Sequence, residues 1–219
     1  MVDRVGAVAT DWRDRLNQTG ASLLLFCLCA LAWCAPAAIA ADDVLTQADG
    51  TEVQFSGEAD RIITLSPHLT ELVFAAGGGD RLVATVEYSN FPEAANAIPR
   101  VGDAFRIDVE RIMALQPDLV IAWDSGNPRA AVTQLRSLGL TVWSVEIDQP
   151  EEIADVLETL GRLTGREEPA RTAGQDIRRR LDDLSRRYRG EEPLRYFYQI
   201  GSRPLFTVNG KHLISQGLE

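Results

Sequence analysis

Beyond residue 41 the chain contains no cysteine; all three, Cys27, Cys29 and Cys34, fall within one apolar run near the N-terminus. The rest of the chain therefore offers no disulfide framework, no thiolate nucleophile and no cysteine zinc site. Lysine is nearly missing: Lys211 stands alone among 22 basic residues, which reads as a genomic preference for arginine. Positive charge is in deficit overall, since 32 acidic residues leave a formal net charge of -10. A surface that acidic repels a phosphate backbone, which excludes nucleic acid as a partner. There are two histidines, His68 and His212, and no group of histidines and carboxylates has metal-ligand spacing. No strand is followed by a Gly-x-Gly-x-x-Gly turn, which argues against an enzyme built on a dinucleotide-binding lobe, and Lys211 lacks a glycine-rich phosphate loop. Ser66, His68 and Glu71 lie close in sequence, but without a Gly-x-Ser-x-Gly elbow they do not make a hydrolase. No catalytic residue, resident metal or cofactor is expected.

The chain does have globular composition: 219 residues, 45% hydrophobic and 25% charged, enough for one or two small domains. Residues 21–41 carry no charge, and a membrane span of about 20 residues is permitted by length alone. The second half of that run is Pro36 and small alanines. Ala38-Ile39-Ala40 gives the small-x-small pattern of a signal peptidase site, with Asp42-Asp43 close behind. Residues 1–40 are therefore expected to be a cleaved signal peptide and the mature chain to be exported. A retained anchor is the alternative. A lipoprotein reading at Cys34 is disfavoured by bulky Trp33 in front of it.

Periodicity orders the remainder. Val44 to Gln47 and Thr51 to Phe55 flank Asp49-Gly50, a hairpin signal. Short apolar strands then alternate with helices. Strands are expected over 61–65, 82–86, 119–123 and 141–145. Helices are expected over 69–76, closed by Gly77-Gly78-Gly79; from Val109, capped by Asp108 and stopped by Pro117; and from about Pro128 to Gly139. Continuous apolar strands joined by helices predict a parallel sheet covered on both faces, with ligands at the carboxyl ends of the strands. Trp123 and the Glu87-Tyr88 region fall at such ends. From Pro150 the chain reads as helical for about forty residues with a break at Gly165. Ala170, Ile177, Leu181, Leu184 and Tyr188 form one apolar stripe on an otherwise charged helix of roughly 33 Å, a brace between lobes. A strand is expected over 195–200, another over 205–208, and a helix from His212. The fold class is thus α/β: a Rossmann-like lobe, a long bridging helix and the start of a second α/β lobe. The divisions expected are 1–40, 41–149, 150–190 and 191–219.

Three segments carry a resemblance: RIITLSPHLTELVFAAG from Arg61, VGDAFRIDVERIMALQPDLVIAW from Val101, and YQIGSRPLFTVNGKHLIS from Tyr198. Together they resemble the periplasmic cobalamin-binding proteins of ABC importers, within a wider group that also captures ferric siderophores and haem. The resemblance implies two lobes joined by one long helix, a ligand held in the cleft and little hinge motion. It implies a periplasmic monomer that captures cobalamin and hands it to the permease subunits of an importer. The alternatives are haem or a ferric siderophore in the same fold, or a non-functional fragment, because the family's second lobe continues well past the position of Glu219.

The same resemblance nominates the site. Tyr88 and Trp123 match aromatic ligand contacts of the first lobe, and Phe206 matches one of the second. Where cobalamin binders often carry a Trp after the Val-Gly step, this chain has Ala104 and Phe105, so Phe105 is the expected substitute. Aromatic faces suit a corrinoid, a large flat ring with amide arms. For Trp123 the competing reading is a core strand residue. Glu110 matches the surface glutamate that docks into permease arginines, with the plain reading of a helix N-terminal carboxylate beside it. Tyr88 and His68 are the residues that could serve as an axial ligand if the cargo were haem.

Overall fold

The computed structural model describes residues 42–103, 105–192, 194–210 and 212–218. The export signal expected over residues 1–40 lies outside the described residues.

The chain first makes an antiparallel hairpin, β1 (Asp42–Thr46) and β2 (Glu52–Ser56), turning at Gly50 with φ of 80°. Asp49 fastens the turn by accepting the Thr51 backbone N–H at 2.9 Å and its hydroxyl at 2.6 Å. Four parallel strands follow: β3 (Ile62–Thr64), β4 (Leu82–Ala84), β5 (Leu119–Trp123) and β6 (Val142–Val145), in spatial order β4-β3-β5-β6.

The pleat divides the strands between two cores. Ile62, Leu119, Ile121, Trp143 and Val145 face one side, while Ile63, Ala84, Val120, Ala122 and Val142 face the other. On the first side lie α1 (Pro67–Ala75), α4 (Glu152–Leu163) and the start of α5 (Glu167–Tyr188), contributing Leu69, Val73, Leu157, Leu160 and Ala170. On the second lie α2 (Val109–Leu115) and α3 (Arg129–Ser137), contributing Ile112, Val132 and Leu135. Each strand is apolar on both faces because both are covered, so its sequence is a continuous apolar run rather than an alternation. The hairpin joins the first core through Leu45 and Phe55 and is bolted to β6 by the Trp143 indole N–H donating to the Thr46 carbonyl at 3.0 Å.

The α2 helix begins where its cap was expected, with the Asp108 carboxylate accepting the Arg111 N–H at 2.9 Å. It ends at Gln116, which takes a left-handed φ of 48° just before Pro117. Arg61 caps that end by donating its Nη2 to the Leu115 carbonyl at 2.5 Å. α4 and α5 pack closely, since a Cβ on Gly161 would meet the Ala170 Cβ at 2.3 Å. Along α5 the apolar stripe is used only at its start. Ala170 is buried and Ile177 packs on the core, whereas Leu184 and Tyr188 are 53% and 58% exposed.

Two expectations fail beyond α5. No strand forms over 195–200; these residues are exposed, and the backbone bond from the Ile200 N–H to the Phe206 carbonyl at 3.1 Å does not extend into a ladder. A period-2 apolar run becomes a strand only when a partner takes its backbone groups. Instead a minimal hairpin forms further on, β7 (Gly201–Ser202) with β8 (Leu205–Phe206), so the strand expected over 205–208 is only its first half. The expected terminal helix is a single turn, α6 (Leu213–Gln216), capped by His212 Nδ1 accepting the Ile214 N–H at 3.2 Å.

Candidate functional site

Parallel strands bring all their carboxyl ends to one edge, and the side chains there are organised around Trp123. Trp123 is the last residue of β5 and half-buried. Its backbone N–H donates to Asn127 Oδ1 at 2.7 Å, and the same buried Asn127 donates Nδ2 to the Leu65 carbonyl at 2.8 Å. One amide thus stitches the end of β5 to the end of β3. The indole N–H donates to Glu146 Oε1 at 3.2 Å, while Glu146 Oε2 accepts the Ser125 backbone N–H at 2.8 Å. Gly126 lies against the ring: a Cβ built there would meet the indole carbons at 1.8 Å, so any larger residue displaces the ring. The His68 ring meets Trp123 edge-on, with centroids 5.4 Å apart and planes at 89°.

The exposed part of this assembly opens into a cavity of about 400 Å³. Leu72, Ile147 and Ile153 supply apolar wall; His68, Trp123 and Glu146 supply the polar positions. His212 and Leu213 from the far end of the chain also reach it. That volume and that mixture of apolar wall with a few fixed polar groups are those of a small-molecule site. The protein packed around His68 disfavours its charged form and pushes its pKa below the ordinary histidine value, with the Glu146 carboxylate pulling weakly the other way. Among the described residues no three His, Cys, Asp or Glu side chains converge as a metal site.

Of the residues nominated from sequence, Trp123 and His68 line this cavity. Tyr88 follows β4 at the same carboxyl edge; it is 81% exposed and holds a left-handed φ of 68°. Phe105 is 75% exposed in the loop before α2. Phe206 is 51% exposed on β8, its ring lying over Gly201, where a Cβ would meet it at 2.2 Å. Glu110 sits exposed in the first turn of α2. Sequence reasoning missed Glu146, Asn127 and Gly126. Gly126 and Asn127 stand in the turn directly after Trp123, which was a local signal; Glu146 is 23 positions away from its partner and left none.

A model of the periplasmic binding protein family matches residues 62–210. The chain belongs to the periplasmic binding protein family. Membership places it among solute-binding proteins rather than enzymes and implies a periplasmic location. A vitamin B12-binding protein of Vibrio cholerae is 42% identical over 158 residues, covering 72% of this chain and 57% of that relative. The chain therefore spans little more than half of that relative's length. The crystal structure of the periplasmic vitamin B12 binding protein BtuF of Vibrio cholerae is similar with a TM-score of 0.69 at 42% identity, over 72% of this chain and 62% of that one. A periplasmic haem binding protein from Pseudomonas aeruginosa is more distant, with a TM-score of 0.54 at 29% identity, over 58% of this chain and 46% of that one. The α/β fold expected from the alternation of strands and helices is the fold of these binding proteins.

Proposed function

We propose that this protein captures cobalamin in the periplasm and delivers it to an ABC importer. The single observation that carries the reading is the held indole of Trp123 at the cavity mouth, which packs in part on the first core and in part faces the cavity, and is fixed by Glu146, Gly126 and His68. A rigid aromatic face at the edge of an apolar cavity suits a flat, amide-armed macrocycle. The 42% identity to a vitamin B12-binding protein favours cobalamin over the haem of the more distant relative.

A corrinoid is larger than the cavity, so the cavity takes one edge of the ring and the adjoining surface takes more. Tyr88 at the same sheet edge, Phe105 before α2 and Phe206 on β8 are the further aromatic contacts. Glu110, exposed on α2, is the docking carboxylate for permease arginines. Residues 1–40 act as a cleaved signal, 41–149 as the ligand lobe, 150–190 as the brace and 191–219 as the start of the second lobe; the protein works as a monomer. Equilibrium dialysis of the chain against cyanocobalamin and against haemin tests the ligand. Retention of the corrinoid in preference to haemin is expected, and preferential retention of haemin with a haem-type absorption shift overturns the reading.

A further inference from the structure

Four hydroxyl side chains form one closed cluster beneath the turn that carries Tyr88. Thr64 ends β3, Thr70 lies in α1, Thr85 follows β4, and Ser89 is the residue after Tyr88. The three threonines are 0% exposed and Ser89 is 1% exposed. Thr85 sits at the centre, 2.5 Å from the Thr70 oxygen, 3.0 Å from Thr64 and 2.8 Å from Ser89. Thr64 and Thr70 are 2.7 Å apart, Thr70 reaches Ser89 at 3.3 Å, and Thr70 also donates to the Ser66 carbonyl at 3.2 Å.

Valine and alanine would fill the same space without needing partners, because a buried hydroxyl gains from its hydrogen bond little more than it loses in leaving water. The cluster is therefore explained by what it holds in place. Its outermost member is Ser89, whose carbonyl is gripped by Arg100 Nη2 at 2.7 Å. Arg100 is fixed in turn by Nη1 donating to the Ile98 carbonyl at 2.8 Å and to that of Ala95 at 3.1 Å. On the other side of Tyr88, the Glu87 N–H donates to the Gly102 carbonyl at 2.8 Å. Tyr88 is thus clamped at both neighbours while its own ring is 81% exposed. A non-glycine residue at φ of 68° is disfavoured, and an exposed ring does nothing to hold it there. The anchors on either side do.

We propose that Ser89, held by Thr85 and Thr70, is a positioning residue that presents Tyr88 to the ligand in a fixed place. This rests on the reading of Tyr88 as a ligand contact. Its consequence is preorganisation: the ordering of the Tyr88 turn is met during folding instead of during binding.

A double-mutant cycle, read by equilibrium dialysis of the chain with cyanocobalamin, tests this. Ser89→Ala is expected to weaken binding about three- to tenfold in the parent chain and to have no further effect in Tyr88→Ala. Thr85→Val, which keeps the shape and removes the hydroxyl, should behave like Ser89→Ala, and Thr85→Ser should restore parent affinity. Melting temperatures without ligand accompany each variant, and the Thr85 pair completes the cycle if Ser89→Ala does not fold. Equal losses in the parent and Tyr88→Ala backgrounds overturn the positioning role while leaving Tyr88 a contact. Unchanged affinity in Tyr88→Ala overturns the contact itself and the inference with it.

Discussion

The indole N–H of Trp123 donates to Glu146 Oε1 across 3.2 Å, joining the last residue of one strand to the residue just past the next. A core tryptophan would have its ring enclosed; this one has its polar edge tethered and part of its ring open to a cavity. Glu146 also holds the backbone of Ser125, so a single carboxylate sets both the ring and the turn beneath it.

Replacing Glu146 with Ala is therefore expected to weaken cyanocobalamin binding about tenfold while lowering stability by only about 1 kcal/mol, because a half-exposed carboxylate is worth less than a buried one. Glu146→Gln keeps an acceptor for the indole and should fall between the two. Titration together with thermal melting checks the order.

Gly126 is the opposite case, a position where added bulk does the damage. A methyl group there would meet the Trp123 ring at 1.8 Å, so Gly126→Ala must push the indole or the turn aside. The expected cost is about 1–3 kcal/mol of stability, with loss of binding, and urea unfolding measures it.

Much of this architecture was legible in the sequence because local chemistry decided it. Asp108 announced a cap, Asp49-Gly50 a turn, Pro117 a stop, and the continuous apolar runs a doubly covered sheet. The strand over 195–200 misled because a strand is a relationship with a partner, and among the described residues the pairing of Ile200 with Phe206 is not continued back along 195–199. Trp123 could be placed at a strand end from its spacing. Its tether to Glu146 and the hydroxyl cluster under Tyr88 could not, since both depend on side-chain geometry between residues 15 to 23 positions apart. The long apolar stripe of α5 was correctly seen as one face, but only Ala170 to Ile177 of it meets the core.

The docking role proposed for Glu110 can be separated from capture. It is exposed on α2 and does not line the cavity, so Glu110→Ala should leave cyanocobalamin affinity unchanged while reducing uptake in cells that depend on this protein. One exposed ion pair is worth about 0–1 kcal/mol, which sets uptake loss at several-fold rather than complete. Parallel titration and uptake assays check it; equal loss in both would contradict the assignment.

His68 gives a pH dependence with a definite sign. Crowding lowers its folded-state pKa, so below about pH 6.5 the unfolded chain binds the proton more readily than the folded one. The contribution of His68 to stability is thus fully present above that pH and declines as pH falls towards the folded-state value. Between pH 8 and pH 5 the melting temperature should drop further for the parent chain than for His68→Gln, with a small difference because the ring, though crowded on one side, keeps part of its surface open to solvent at the cavity.

The most direct measurement pairs affinity with stability in Trp123→Ala. If the tethered indole is the corrinoid wall, the variant loses about 2–4 kcal/mol of cyanocobalamin binding, roughly thirty- to a thousandfold, while its ligand-free melting temperature falls only modestly, by the loss of a half-buried ring. A variant that melts much earlier, yet whose folded fraction binds cyanocobalamin as tightly as the parent, would make Trp123 a core residue and contradict the account.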